Sequence, residues 1–257
     1  MRKLFLSIIF ISVGLTAQEM TGYEIMRKAL NQSTWQDMQA DLQLILKNAR
    51  GEERQREIAF YSSDTESGLN RMLMRFIAPA DVKGTGFLTL ETTGADDEQY
   101  LYLPALRRVK KIASSGSGGN FMASDFTYYD IGMPELEDWN YRLLGEEEKK
   151  GQFCYKIECL PVSDKILADT GYGKIVRWVD QARLNTIYSE YYDKSLTKWK
   201  ELDVIEFQLV KTVDFATDMI MRDLQTGHSS EMKFLNLQVD TGIPGDFFTV
   251  RYLQQGR

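Results

Sequence analysis

The stretch Met38-Gln39-Ala40-Asp41-Leu42-Gln43-Leu44-Ile45-Leu46-Lys47 decides the fold class. Met38, Ala40, Leu42, Leu44 and Leu46 recur at every second position, with Gln39, Asp41, Gln43, Ile45 and Lys47 between them. A period of two sends alternate side chains to opposite faces, so this is a half-buried strand. Arg50-Gly51 supplies a turn, and residues 53–61 return with Ile58 and Phe60 on one face. Residues 70–77 form a third strand, with Met72, Met74 and Phe76 sharing a face and Leu73 set between Arg71 and Arg75.

The pattern continues in both directions. Strands are predicted at 87–91, 99–103 and 107–112, then at 139–144, 153–160, 174–180, 186–192, 197–204, 206–213, 219–223 and 230–239. Gly145 to Gly151, with Glu146-Glu147-Glu148-Lys149-Lys150 inside it, reads as a charged hairpin turn, and Asp193-Lys194-Ser195 as another. Many short strands joined by tight turns predict a sandwich or a barrel. One helix precedes them. Thr21 and Glu24 have capping-box spacing, and Tyr23, Met26 and Leu30 recur at helical spacing, widened by Ile25 and Ala29. This helix is predicted to end near Ser33-Thr34.

One segment departs from the strand pattern. Ser114-Ser115-Gly116-Ser117-Gly118-Gly119-Asn120 has the content of a flexible linker and runs into Phe121-Met122-Ala123-Ser124-Asp125-Phe126. A glycine hinge beside an apolar face has the two parts of a mobile gate, and a permanently docked connection is the plainer alternative.

At the N-terminus, Met1-Arg2-Lys3 is basic, Leu4 to Leu15 is mostly apolar, and Thr16-Ala17-Gln18 ends the run with small residues. That order is a secretory signal peptide, and the run is shorter than the roughly 20 residues a spanning helix needs. The expected organisation is a signal peptide at 1–17 and a single domain at 18–257, exported to a periplasm. Losing Arg2 and Lys3 takes the formal charge from −6 to about −8. An acidic surface argues against nucleic acid as a partner. Cys154 and Cys159 lie on one predicted strand, about 16 Å apart and on opposite faces. A disulfide needs Cα atoms within about 7 Å, so two free thiols are expected.

Catalytic chemistry finds little support. His228 is the one histidine, and it sits in a predicted turn. A triad or a histidine-rich metal site would need more, and no nucleophile-elbow, zinc-protease or P-loop motif is present. Neither catalytic residues, a metal nor a cofactor is expected. Carboxylates are plentiful, but no pair stands out as a hydrolase's. Arg107, Arg108, Lys110 and Lys111 form a basic cluster. It reads first as a charged strand edge guarding against aggregation, and second as a contact for headgroups or an acidic partner.

Three runs of sequence resemble one family. They are Asp81-Val82-Lys83-Gly84-Thr85-Gly86-Phe87-Leu88, Gln99-Tyr100-Leu101-Tyr102-Leu103-Pro104-Ala105-Leu106-Arg107-Arg108-Val109, and Phe121 to Phe126. Thr241-Gly242-Ile243-Pro244 and Phe247-Phe248 add to them. Their order resembles the LolA-like outer-membrane lipoprotein-sorting proteins, in a branch longer than the classical carrier. The resemblance implies a mainly β fold with a few helices: an unclosed, strongly curved antiparallel β-barrel covered by helices on its concave side. It also implies an apolar hollow that holds acyl chains, and a soluble carrier that moves a lipoprotein or another lipid towards the outer membrane. Expected partners are that cargo, an inner-membrane transporter of RND type and an outer-membrane acceptor. An accessory transporter subunit with no lipid of its own is the alternative, and it calls for a filled interior.

On this reading the cavity is lined by Leu42, Leu44, Phe60, Met72, Met74, Phe76, Leu88 and Leu90. Its lid comprises Ile25, Met26 and Leu30 of the opening helix and Phe121, Met122 and Phe126 of the glycine-hinged segment.

Overall fold

The computed structural model describes residues 20–132 and 135–255. The expected signal peptide lies outside them. The described chain opens with α1 (Gly22–Leu30), started by the predicted capping box. The Glu24 N–H donates to the Thr21 hydroxyl at 3.2 Å, and the Thr21 N–H donates to the Glu24 carboxylate at 2.8 Å. Two end donors are thereby satisfied. The helix stops at Leu30, short of Ser33-Thr34, because Asn31 leaves helical geometry at φ −104° and ψ 47°.

Six strands follow: β1 (Asp37–Lys47), β2 (Glu53–Asp64), β3 (Asn70–Ala78), β4 (Gly86–Leu90), β5 (Glu98–Leu103) and β6 (Arg108–Ile112). After a long connection come β7 (Trp139–Lys149), β8 (Gln152–Pro161), β9 (Lys174–Asp180), β10 (Thr186–Tyr192), β11 (Lys198–Val210), β12 (Val213–Asp223) and β13 (Ser229–Val239). All 13 strands form one sheet in the order β6-β5-β4-β3-β2-β1-β13-β12-β11-β10-β9-β8-β7. Each pairing is antiparallel. The sheet curls without closing, and helices cover its concave side, except for the C-terminal one, which packs on the outer face. This is the predicted architecture.

Three predicted boundaries are corrected. Glu146-Glu147-Glu148 is not a turn. Gly145, at φ 141°, marks a register shift in β7, and the strand then runs on to a turn at Lys150-Gly151, both at positive φ. The acidic run pairs with β8, where Lys156 meets Glu147 at 3.2 Å. The segments 197–204 and 206–213 are mostly one strand, β11, kinked by a bulge at Ile205. A bulge breaks side-chain alternation without ending a strand, which is why it looked like a boundary. Finally, 219–223 is only the end of β12.

The strand order sets where the helices lie. β6 and β7 are consecutive in sequence yet stand at opposite free edges. Residues 113–138 must therefore bridge the open side, and their described part crosses the concave face as a strap. The strap carries α2 (Tyr128–Ile131), which has its own capping box between Thr127 and Asp130. It is pinned by polar contacts at several points. The Asp125 N–H donates to the Ser230 hydroxyl on β13 at 2.8 Å, and Lys200 on β11 donates to the Asp125 carbonyl at 2.7 Å. Arg56 on β2 donates to the Met122 carbonyl.

The glycine-serine run at the start of the strap is not a free linker in this structure. Ser117 donates to the Asp169 carbonyl at 3.0 Å and accepts from the Tyr129 N–H at 2.8 Å. A Cβ on Gly118 would come within 2.8 Å of the Asp169 and Thr170 carbonyl oxygens, at the end of α3 (Asp164–Thr170). Glycine is needed there for close approach, not for freedom.

The inner face of the sheet carries one large apolar cluster that includes Leu42, Leu44, Phe60, Met74 and Phe121. On the outer face, Leu73 and Leu88 pack beneath α4 (Val250–Gln255) through Leu253. A second outer cluster contains Cys154, Val176 and Trp178. The cysteines are both free and both buried, Cys154 outside and Cys159 in the inner cluster. Burial pushes the Cys159 thiol up to about 11. The basic cluster lies at β6, a free edge, with Arg108, Lys110 and Lys111 exposed.

Candidate functional site

A cavity of about 180 Å³ lies on the inner face between the sheet, α1 and the strap. Met26 and Leu30 of α1 and Phe126 and Tyr129 of the strap form one side. Strands β7 to β12 form the other, through Trp139, Tyr141, Ile175, Tyr191, Met219 and Met221 among others. Most of these are apolar or aromatic because inward positions of curved strands face one another across the hollow. Three charged groups also line it: Asp130, Glu135 and Arg177.

The predicted site residues divide clearly. Met26, Leu30 and Phe126 line the cavity. Ile25 is fully buried beside Met26 in the inner cluster. Phe121 is also fully buried, inside an aromatic group made by Phe76, Phe87 and Tyr128. Met122 sits at φ 48° with its carbonyl bound by Arg56. Leu42, Leu44, Phe60, Met72, Met74 and Phe76 face inward as expected, but they are packed core and do not line the cavity. Leu88 and Leu90 belong to the outer cluster beneath α4. On β4 the inward pair is Phe87 and Thr89, so the apolar alternation of Leu88 and Leu90 marked the wrong face.

The cavity residues on β7 to β12 were not singled out from sequence. Strand β9, Lys174-Ile175-Val176-Arg177-Trp178-Val179-Asp180, shows why. It is apolar on both faces, so periodicity cannot say which is inside. The one available signal was Arg177, a charge between Ile175 and Val179 on the same face.

A second, larger cleft of about 500 Å³ adjoins the first and shares Tyr129 and Glu135 with it. Its lining is acidic, with Asp96, Asp97, Glu137, Asp138 and Asp169, and Lys165 bridges Asp96 and Asp169 at 2.8 Å each. Partial burial, followed by repulsion from Glu135, raises the Asp97 carboxyl to about 7. Between the ordinary carboxylate range and pH 7 the folded chain thus holds a proton that the unfolded chain releases. Stability is full below that window and falls as pH rises through it, by at most about 1.4 kcal/mol per unit and less with solvent contact. Glu135 and Asp138 shift in the same direction. Asp97→Asn is expected to flatten this loss, measured as the change in urea midpoint between pH 5 and pH 8. Equal slopes for the two proteins would refute the assignment.

Comparison with known proteins fits this geometry. A family model described as "uncharacterized protein" matches residues 68–255. The fold superposes on the crystal structure of a candidate outer membrane lipoprotein-sorting protein domain from Vibrio parahaemolyticus. Their TM-score is 0.83 at 34% identity, over 91% of this chain and 98% of that one. The chain belongs to the outer membrane lipoprotein-sorting protein family. A DUF1329 family protein from Desulfovibrio piger is similar, with a TM-score of 0.84 at 28% identity over 90% of this chain and 97% of that one. A LolA superfamily protein from Nitrosomonas europaea shares the fold, with a TM-score of 0.72 at 18% identity over 91% of this chain and all (100%) of that one. No curated protein matches. In this LolA-like chain, among the described residues, no helix is long and apolar enough to cross a membrane.

Proposed function

We propose that this LolA-like chain is a periplasmic carrier. It binds acyl chains of a lipoprotein or lipid in the inner cavity and moves them towards the outer membrane. The observation that supports this most is a largely apolar cavity between a curved sheet and two covers, α1 and the strap. Each methylene taken from water into such a site gains about 0.8 kcal/mol. The accessory-subunit alternative calls for a filled interior, and the cavity favours the carrier.

At about 180 Å³ the cavity is close in size to the roughly 150 Å³ hole that holds one benzene. A long acyl chain therefore needs the covers to part. The cover lying over the cavity is α1 together with Phe126, while Phe121 is the anchor of the strap. Loading by an RND-type transporter and unloading to an outer-membrane acceptor complete the proposed cycle.

A fluorescent acyl probe titrated into the purified mature protein is expected to bind saturably and to be displaced by long-chain lipid. Leu30 is 49% exposed at the cavity rim, so Leu30→Glu leaves the fold intact. It is expected to weaken the probe by roughly tenfold, since a charge replaces apolar surface at the mouth. Non-saturable binding by the wild type would refute the carrier.

A further inference from the structure

Among the described residues, Arg177 has no salt-bridge partner. It projects from β9 into the inner face between Ile175 and Val179, is mostly buried, and lines the cavity. Among the described residues its side chain makes a long hydrogen bond, 3.5 Å to the Ser189 hydroxyl, and faces the Cys159 thiol. After burial, the groups that act on it most are the Tyr191 phenol, the Cys159 thiol and the phenols of Tyr141 and Tyr129. Of the two carboxylates that line the same cavity, Asp130 is engaged elsewhere. Asp130 accepts from the Thr127 N–H and the Tyr172 hydroxyl, each at 2.8 Å. Burial, then repulsion from Glu91, Asp138 and Glu137, raises the Glu135 carboxyl and so disfavours its charged form.

A lysine so placed could shed its proton, but a guanidinium cannot. A buried, permanent cation with unused donors is costly unless an anion joins it. The Tyr141 hydroxyl, on the same wall, also makes no hydrogen bond among the described residues. Much of the remaining lining is apolar, including Met26, Leu30, Met219 and Met221. A small hydrated anion gains nothing from those side chains, whereas a ligand with an acidic head and a hydrocarbon tail satisfies both parts of the cavity.

Taking the carrier reading as its basis, we propose that the cargo is an anionic amphiphile. Its carboxylate or phosphate head is received by Arg177, and its tail lies along the methionines and Leu30. The head group would discriminate such a lipid from a neutral one carrying the same chain.

The test compares decanoate, decyl phosphate and decanol, with inorganic phosphate as the tail-less control, by quenching of tryptophan emission from the full mature chain. Trp139 lines the cavity and serves as reporter. The wild type is expected to bind both anionic amphiphiles roughly tenfold or more tighter than decanol, the scale of a charge-assisted hydrogen bond. Arg177→Met should erase that ratio while leaving decanol affinity unchanged, and Arg177→Lys should restore part of it. Equal binding of all three by the wild type overturns the proposal and leaves the carrier standing. So does an equal loss for charged and neutral probes in Arg177→Met. Inorganic phosphate binding as tightly as decyl phosphate also overturns it, as a free-anion site. If no amphiphile binds, the carrier reading fails together with it. The wild-type comparison and the lysine variant keep the proposal refutable even if Arg177→Met does not fold.

Discussion

Unfolding the Phe121→Ala variant in urea takes about 3–5 kcal/mol less free energy than unfolding the wild-type chain. The size follows from burial. Phe121 has no exposed surface, and its ring meets Phe87 at 5.2 Å, Tyr128 at 5.5 Å and Phe76 at 6.2 Å between centroids. Truncation removes the transfer energy of the ring and leaves a cavity that three large neighbours cannot all collapse into. The backbone around it is fixed as well, since the Phe121 N–H donates to the Phe126 carbonyl at 2.7 Å. Phe121 therefore fastens the strap to β3 and β4, and the part of the strap free to act on the cavity is the Phe126 side. A loss under about 1 kcal/mol, with weakened acyl-probe binding, would instead identify Phe121 as a moving element of the lid.

The elements most legible in the sequence were those whose cause is local. The capping box at Thr21 and Glu24 announces α1 within four residues, and β1 to β3 alternate because one face is apolar and the other wet. The ends of β7 and β11 were misplaced because Gly145 and Ile205 mark bulges, which disturb alternation while backbone pairing continues. α3 and α4 are short, and neither was predicted as a helix. The cavity was the least legible part. Whether Leu88 or Phe87 points inward depends on α4 covering the far side of β4, a contact between residues over 160 positions apart in sequence. The role of residues 113–132 was half visible. Composition set this run apart from the strands, yet its glycines serve close packing against α3, and only the sheet order shows that the chain must cross the opening there.

The same crossing places Lys200 under the strap, and Lys200→Ala is expected to cost about 3–5 kcal/mol. Lys200 is fully buried on β11, donates to the Asp125 carbonyl at 2.7 Å, and lies 4.2 Å from the centre of the Trp199 ring. Burial drives its amine down, while attraction from Asp130, Asp125 and Asp223 opposes that shift. Burial likewise drives the Asp125 carboxyl up, against its hydrogen bond from Ser230 at 2.6 Å and the pull of Lys200. Removing the lysine strips a buried carbonyl of its donor and leaves nearby carboxylates without their cation, so the loss exceeds that of the packing alone. Lys200→Met keeps much of the chain's volume and isolates the charge. If the charge matters through Asp125, adding Asp125→Asn to Lys200→Met should cost less than the two single changes together. A double-mutant cycle in urea measures that coupling directly. Additive losses would mean that Lys200 acts only through its carbonyl contact and its packing on Trp199. A loss below about 1 kcal/mol for Lys200→Ala would mean that the strap is held down by its aromatic side chains alone.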